Sequence, residues 1–214
     1  MLSQDVAQLE KNNKKDLTGL VGYLKGKLEE LESYRLIEKR VRSLESNLIE
    51  NIQYTRRESI EIHGIPESVK DEQLEEKVID VLEEIGVGRV KSYRIHACHR
   101  LKNRSKAVIR FVSRKNADLA LHHRGKLKDF DVAKHGFNAD TKLFINESLC
   151  PQMQYLCYLA RTCKKQKTID SYNLWKGRLT IKMGGTDTQI HIRHIEDLID
   201  LGLATEDQRE KFYK

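Results

Sequence analysis

The chain has 214 residues, 39% of them apolar and 33% charged, with 2 prolines. That is polar for one compact globule and fits small domains joined to a long charged helix. The net charge of +7 is too modest to decide anything alone, so its distribution carries the argument.

The first residues hold no apolar signal core and no run approaches eighteen apolar residues, so neither secretion nor a membrane span is predicted. In a reducing compartment the 4 cysteines are expected as free thiols.

Residues 1–53 contain no proline and read as one coiled-coil helix. Leu2, Val6 and Leu9 are spaced by four and then three; so are Leu17, Val21, Leu24, Leu28 and Leu31, and again Ile37, Val41, Leu44 and Leu48. This is a heptad seam, with phase shifts near Asn13–Leu17 and Tyr34–Ile37. Gly19, Gly22 and Gly26 weaken the middle by about 1 kcal/mol each. A helix folded back on its own domain is the other reading, but sustained heptads favour self-association. In the last run Val41 is an a position and Leu44 a d position, which puts Arg40 at g and Glu45 at e. "RVRSLE" is similar to a trimer-specifying pattern of short coiled coils, in which the arginine stem covers the seam and its head reaches a neighbouring glutamate. An ordinary surface ion pair in a dimer is the alternative.

Residues 54–147 predict an RNA-recognition-like domain. Ile60 and Ile62 alternate with Glu61 and His63 in a first strand, ended by Gly64 and Pro66. Asp71 to Gly86 has a helical apolar face (Leu74, Val78, Val81, Leu82, Ile85), with Ser68 or Asp71 as its cap. Strands follow in "VKSYRIHACHRL" and "SKAVIRFV", a helix in "SRKNADLALHHRGKL" and a strand in "KLFINE". The order βαββαβ is that of ferredoxin-like domains, giving an α+β fold class.

Residues 148–214 predict a small α+β domain. A helix opens at Pro151 and ends in Lys164, Lys165 and Lys167; a hairpin turns at Lys176 and Gly177; "TQIHIR" adds a strand and "IEDLIDLGL" a short helix.

Charge is segregated. Residues 67–84 carry eight acids and two bases, 87–126 twelve bases and one acid, and 141–182 eight bases and two acids, while 183–214 is acidic. One face is being made basic. Tested against the RNA-recognition octamer from Arg104, the third strand supplies Arg104, Ala107 and Phe111, but Lys106 and Val108 occupy the two base-stacking positions. The expectation is salt-sensitive, sequence-tolerant binding through Lys106 and Arg110; a protein-binding domain of the same fold is the alternative. Further candidates are Arg56 and Arg57 between coil and first strand, Arg94, His99, Arg100 and Lys102 on and after the second, and Lys142 at the fourth. Lys164, Lys165, Lys176 and Arg178 flank Trp175 and Tyr172, although a lone tryptophan is as readily a core residue. His96, Cys98, His99, Cys150, Cys157 and Cys163 do not have zinc-ligand spacing, and no P-loop, nucleophile elbow or metalloprotease motif occurs. No metal, cofactor, small-molecule substrate, membrane or enzymatic activity is therefore expected.

In order, the coiled coil, "YTRRESIEIHGIPE", "HR", "KAVIRF", "KLFINESL", "LWKGRLTIKM" and "HIEDL" resemble the first-open-reading-frame proteins of LINE-type retrotransposons. They look equally like the C-terminal domain of baculoviral few-polyhedra proteins, over about residues 36–200. The resemblance implies a homotrimer that coats single-stranded RNA, and DNA as a second ligand, in a cytoplasmic ribonucleoprotein that also reaches the nucleus. It implies a nucleic-acid chaperone, with RNA carried by Arg56, Arg57, Arg100, Lys106, Arg110, Arg161 and the turn from Trp175 to Arg178. The zinc-binding module and zinc knuckle of some relatives are not present in the sequence. A coiled-coil trafficking protein, whose basic modules bind protein, is what the viral likeness implies.

Overall fold

The computed structural model describes residues 2–88, 94–102, 105–138, 140–185 and 187–213, with side chains from residue 16 onward. It is an α+β protein with a long N-terminal helix, a four-stranded antiparallel sheet with helices, and a three-stranded sheet toward the C-terminus. Its residues divide into two compact units, 1–47 and 48–214.

The first helix, α1 (Leu2–Thr55), runs unbroken through its three glycines. Upstream of residue 48 its apolar side chains lie open: Leu17, Val21, Leu24, Leu28, Leu31, Ile37, Val41 and Leu44 are all exposed. From Ile49 onward the helix belongs to the second unit. Ile49 is buried with Leu149, Met153 and Ile192, and Gln53 is buried beside it.

The second unit holds two hydrophobic cores. The first is built by β1 (Ser59–His63), α2 (Asp71–Glu84), β2 (Ile95–Arg100), β3 (Lys106–Phe111), α3 (Arg114–His123) and β4 (Phe144–Glu147). The strands pair in the order β2-β3-β1-β4, all antiparallel, with Ile62 opposite Ala107 on one side and Ile145 on the other. Alternation sends Ile60, Ile62, Ala107, Ile109, Phe111 and Ile145 into the core beneath α2 and α3. The opposite sheet face keeps Glu61, His63, Lys106, Val108, Arg110, Phe144 and Asn146. Gly64 is required where β1 ends: its φ is +92°, and a Cβ there would run into the Lys142 carbonyl.

Several local expectations change. No side chain caps α2: the cap position is Lys70, not Ser68 or Asp71, and Asp71 pairs with Arg100 instead. The second predicted strand is shorter, with residues 90–93 outside the described set, and Arg104 of the octamer also lies outside it. The α3 helix is capped by Ser113, whose Oγ accepts from the Lys115 N–H at 3.3 Å, and stops at His123. Residues 124–129 and 133–135 continue as 3₁₀ turns.

The second core lies under α4 (Pro151–Lys165), the sheet β5 (Ser171–Trp175), β6 (Arg178–Lys182) and β7 (Gln189–Ile192), and α5 (Ile195–Asp200). A further helix not read from the sequence, α6 (Glu206–Phe212), starts at a Thr205–Gln208 capping box and inserts Phe212 into this core. The β5–β6 turn has φ of 54° at Lys176 and 71° at Gly177, the two successive left-handed residues of a tight hairpin.

Polar bonds tie the two cores together. The Gln53 amide donates to the Ser148 carbonyl at 3.0 Å and accepts from the Cys150 N–H at 2.9 Å. The Glu147 carboxylate accepts the Lys176 and Gly177 N–H groups at 2.8 and 2.6 Å, fixing the hairpin turn at the end of β4. Lys176 also pairs with Asp118 of α3 at 3.0 Å. Among the described residues no helix is long and apolar enough to cross a membrane.

Candidate nucleic-acid interface

The helix-free face of the first sheet meets α4 and β5 of the second core across an open cleft of about 310 Å³. His63 and Lys106 line it from the sheet, Tyr158 and Arg161 from α4, Tyr172 from β5, and Arg124 from the turn after α3. Each position follows from local pattern. Lys106 and His63 are the outward residues of strands whose alternate positions are core, and Tyr158 and Arg161 are one helical turn apart on the exposed side of α4. Among the described residues, Lys106, Arg124 and Arg161 have no ion pair or side-chain hydrogen bond.

The two carboxylates in the cleft are already engaged. Glu61, 9% exposed, lies 3.3 Å from His63 Nε2 and 3.4 Å from Ser148 Oγ. Glu147 is held by the hairpin turn. The cleft therefore presents cations and aromatic rings outward, which suits a phosphate backbone with unpaired bases. Cys157 at its floor is no nucleophile: burial, reinforced by Glu147 and only partly opposed by Arg161, pushes the thiol up to about 12. Burial pushes Cys98 up to about 12 as well. Among the described residues no group of three His, Cys, Asp or Glu side chains is arranged to hold a metal ion.

Of the sequence-predicted residues, Lys106, Arg161 and Tyr172 come together here. Lys164 lies over the Tyr172 ring at 5.8 Å, and Lys165 is exposed one residue on. Arg110 is on the same sheet face but is paired with Glu58 at 3.5 Å. Arg94 and Lys102 are exposed at the two ends of β2, and Lys142 is exposed beside the outer edge of β4. None of these three lines the cleft.

A second basic group gathers around the end of α1. The Arg57 and Arg114 guanidiniums lie 5.0 and 4.8 Å from the Tyr54 ring centre, and Arg56 donates to the Leu149 carbonyl at 3.4 Å. The Arg114 hydrogen bond and charge lower the pKa of the exposed Tyr54 phenol below its usual value. Arg57, Arg178, His191 and Arg193 line a separate hollow of about 260 Å³ beside them.

Arg100 belongs to neither group. Its side chain is 5% exposed; it donates to the Pro66 and Val69 carbonyls at 2.8 and 2.6 Å and pairs with Asp71 at 3.2 Å. It pins the β1–α2 loop, and its guanidinium has no face left for a phosphate. Trp175 is in neither the core nor the cleft. It is 44% exposed, in the strand phase opposite to Tyr172 and Leu174, with Lys176 Nζ 5.7 Å from its ring. Three of the cations and rings lining the cleft were not among the sequence candidates. Arg124 lies in a helix-like stretch with no periodic signal, whereas Tyr158 shares a helix face with Arg161 and His63 alternates with buried Ile62, so both were legible in principle. A scan against protein-family models found no match, and a search of curated proteins found no significant one.

Proposed function

We propose that this protein is a homotrimeric, largely sequence-independent binder of single-stranded RNA, and of DNA as a second ligand, that acts as a nucleic-acid chaperone in a ribonucleoprotein particle. The observation that carries this reading is the cleft in which, among the described residues, Lys106, Arg124 and Arg161 stand without carboxylate partners beside Tyr158 and Tyr172. The βαββαβ order with sheet order β2-β3-β1-β4 is that of a ferredoxin-like, RNA-recognition type of domain and supports the same class.

The exposed heptad seam supports assembly. Val41 is 46% exposed and Leu44 67% exposed, values that a buried a/d seam would not keep. Arg40 and Glu45 flank them as the trimer pattern requires. Weak phosphate contacts in one cleft, repeated three times on one stalk, raise avidity by about 10² to 10⁴ while each contact remains exchangeable. That combination is what strand annealing and exchange need. The likeness to retrotransposon first-open-reading-frame proteins makes an element's own RNA the natural cargo and the cytoplasm the natural place, with nuclear entry beside it.

The test is multi-angle light scattering of the intact chain beside fluorescence anisotropy with a 20-nucleotide oligouridylate across a salt series. A mass of three chains and a linear fall of log affinity with log salt, similar for oligouridylate and a mixed sequence, are expected. Affinity independent of salt would sink the reading, and a protein-binding role of the few-polyhedra kind would replace it if no oligonucleotide bound.

A further inference from the structure

The structure points to a second nucleic-acid element outside the cleft. We infer that the groove along the open edge of β4 receives an unpaired base, stacked on Phe144, from the strand that occupies the cleft. This inference rests on the proposed RNA binding and adds a place where base identity matters.

Among the described residues β4 pairs with β1 alone, which leaves its other edge without a partner strand. The Ser148 N–H approaches the Ser59 carbonyl, and in antiparallel register this puts Phe144 and Asn146 in bonding phase with β1. Leu143 and Ile145 then turn their N–H and C=O groups to the open side. No backbone bond from that side is found among the described residues. Alongside runs a groove of about 630 Å³, floored by Leu127, Phe130 and Leu143. Its rim carries Arg124, Lys128 and Lys142, and no acid lines it. Among the described residues these three bases have no carboxylate partner.

Three features favour a nucleotide over other occupants. Phe144 is 56% exposed and is the aromatic that the sheet surface offers in place of the stacking positions filled by Lys106 and Val108. The groove shares Arg124 and Asn146 with the cleft, so a strand leaving the cleft past Asn146 meets Phe144 next. The Asn146 side chain, exposed on the same face as Phe144, supplies an amide donor and acceptor for a base edge. Phosphates are met by Arg124, Lys128 and Lys142. Purines, with more surface to stack, are favoured over pyrimidines.

The experiment compares the wild-type chain with Phe144→Ala, a surface substitution, against three 12-nucleotide RNAs: oligoadenylate, oligouridylate and an abasic ribose-phosphate strand. Anisotropy is followed across a salt series. The wild type is expected to bind oligoadenylate more tightly than the abasic strand. Phe144→Ala is expected to remove that difference, weakening oligoadenylate about tenfold with an unchanged salt slope and leaving the abasic strand unaffected. Lys128→Ala together with Lys142→Ala should instead lower the salt slope for all three strands. Equal affinity of the variant and wild type for oligoadenylate, or an equal loss for the abasic strand, overturns the stacking site while the cleft reading stands. If the wild type binds none of the three strands, the RNA reading itself fails. If an extended acidic peptide binds the wild type and is lost with Phe144→Ala while RNA affinity is unchanged, the groove is a strand-edge peptide site and the inference is wrong.

Discussion

One helix meets two fates within 55 residues. Upstream of residue 48, α1 carries a heptad seam whose leucines are exposed, while at Ile49 and Gln53 the same helix is buried in a core with satisfied hydrogen bonds. The difference separates two uses of apolar periodicity. A stripe covered by its own chain contributes to that chain's stability; a stripe left open at about 25 cal/mol per Å² is a liability unless other copies cover it. The arginines divide in the same way. Arg100 is internal and fully bonded, whereas Arg161 reaches an open cleft with no partner among the described residues.

The largest effect should come from breaking the open stripe. Val41→Asp with Leu44→Asp puts carboxylates at successive a and d positions and should convert a three-chain mass to one chain in light scattering. RNA affinity should fall by about 10² to 10⁴ as avidity is lost. Because both positions are exposed, unfolding of the second unit in urea should change little. A variant that keeps its mass would show that the seam is not the interface.

Next in size is the contrast between the two arginines. Arg100→Ala takes the guanidinium donor away from the Pro66 and Val69 carbonyls, of which Pro66 keeps the Val69 N–H at 3.2 Å, and should cost about 3 kcal/mol in urea unfolding. Its RNA affinity under folding conditions should match wild type. Arg161→Ala should do the reverse: unchanged unfolding, weaker binding, and a salt slope shallower by about 0.7, the value of one single-strand phosphate contact. Equal behaviour of the two variants would erase the distinction between internal and open bases.

These two arginines also show what was legible. The order of strands and helices could be read because apolar residues alternate in β1, buried positions alternate in β3, and buried positions recur every three or four residues in α2 and α4. The hairpin turn could be read because a glycine sat between two alternating runs. The use of a base could not be read, since Arg100 and Arg161 differ only in what their chains meet in space: carbonyls from a loop more than thirty residues away in one case, solvent in the other. Trp175 was open between core and surface for a related reason. Its type argues for burial, but its phase in β5 is opposite to Tyr172, and phase decides. The α6 helix was missed because the one residue it buries is Phe212, too little periodicity to see in seven residues.

On the closed side of the comparison, Gln53→Leu keeps the side chain's volume and removes both bonds that join α1 to the segment after β4. The Ser148 carbonyl and the Cys150 N–H are then buried without partners, which should cost about 2 kcal/mol and appear as a lower urea midpoint with an unchanged oligomer mass. The same change at an exposed seam position would do the opposite, altering mass and leaving the second unit's midpoint alone.

The smallest effect concerns His191 in β7, in the hollow beside the end of α1. Its Nδ1 accepts from Arg193 Nε at 3.2 Å, which selects the neutral ring with its proton on Nε2. Burial, then the Arg193 charge, lowers its pKa below the usual value near 6.5, with Arg178 acting the same way and Glu50 and Asp197 opposing. The unfolded chain therefore takes up the proton first as pH falls. The neutral ring's contribution is complete above about pH 6.5 and declines as pH drops toward the depressed folded value. Unfolding midpoints at about pH 7.5 and about pH 5.5 bracket this window. The drop between them should be smaller in His191→Gln than in wild type, because glutamine keeps an acceptor for Arg193 and has no proton to gain. An identical drop in both would assign the acid sensitivity to other groups and leave the hollow's cations indifferent to the histidine.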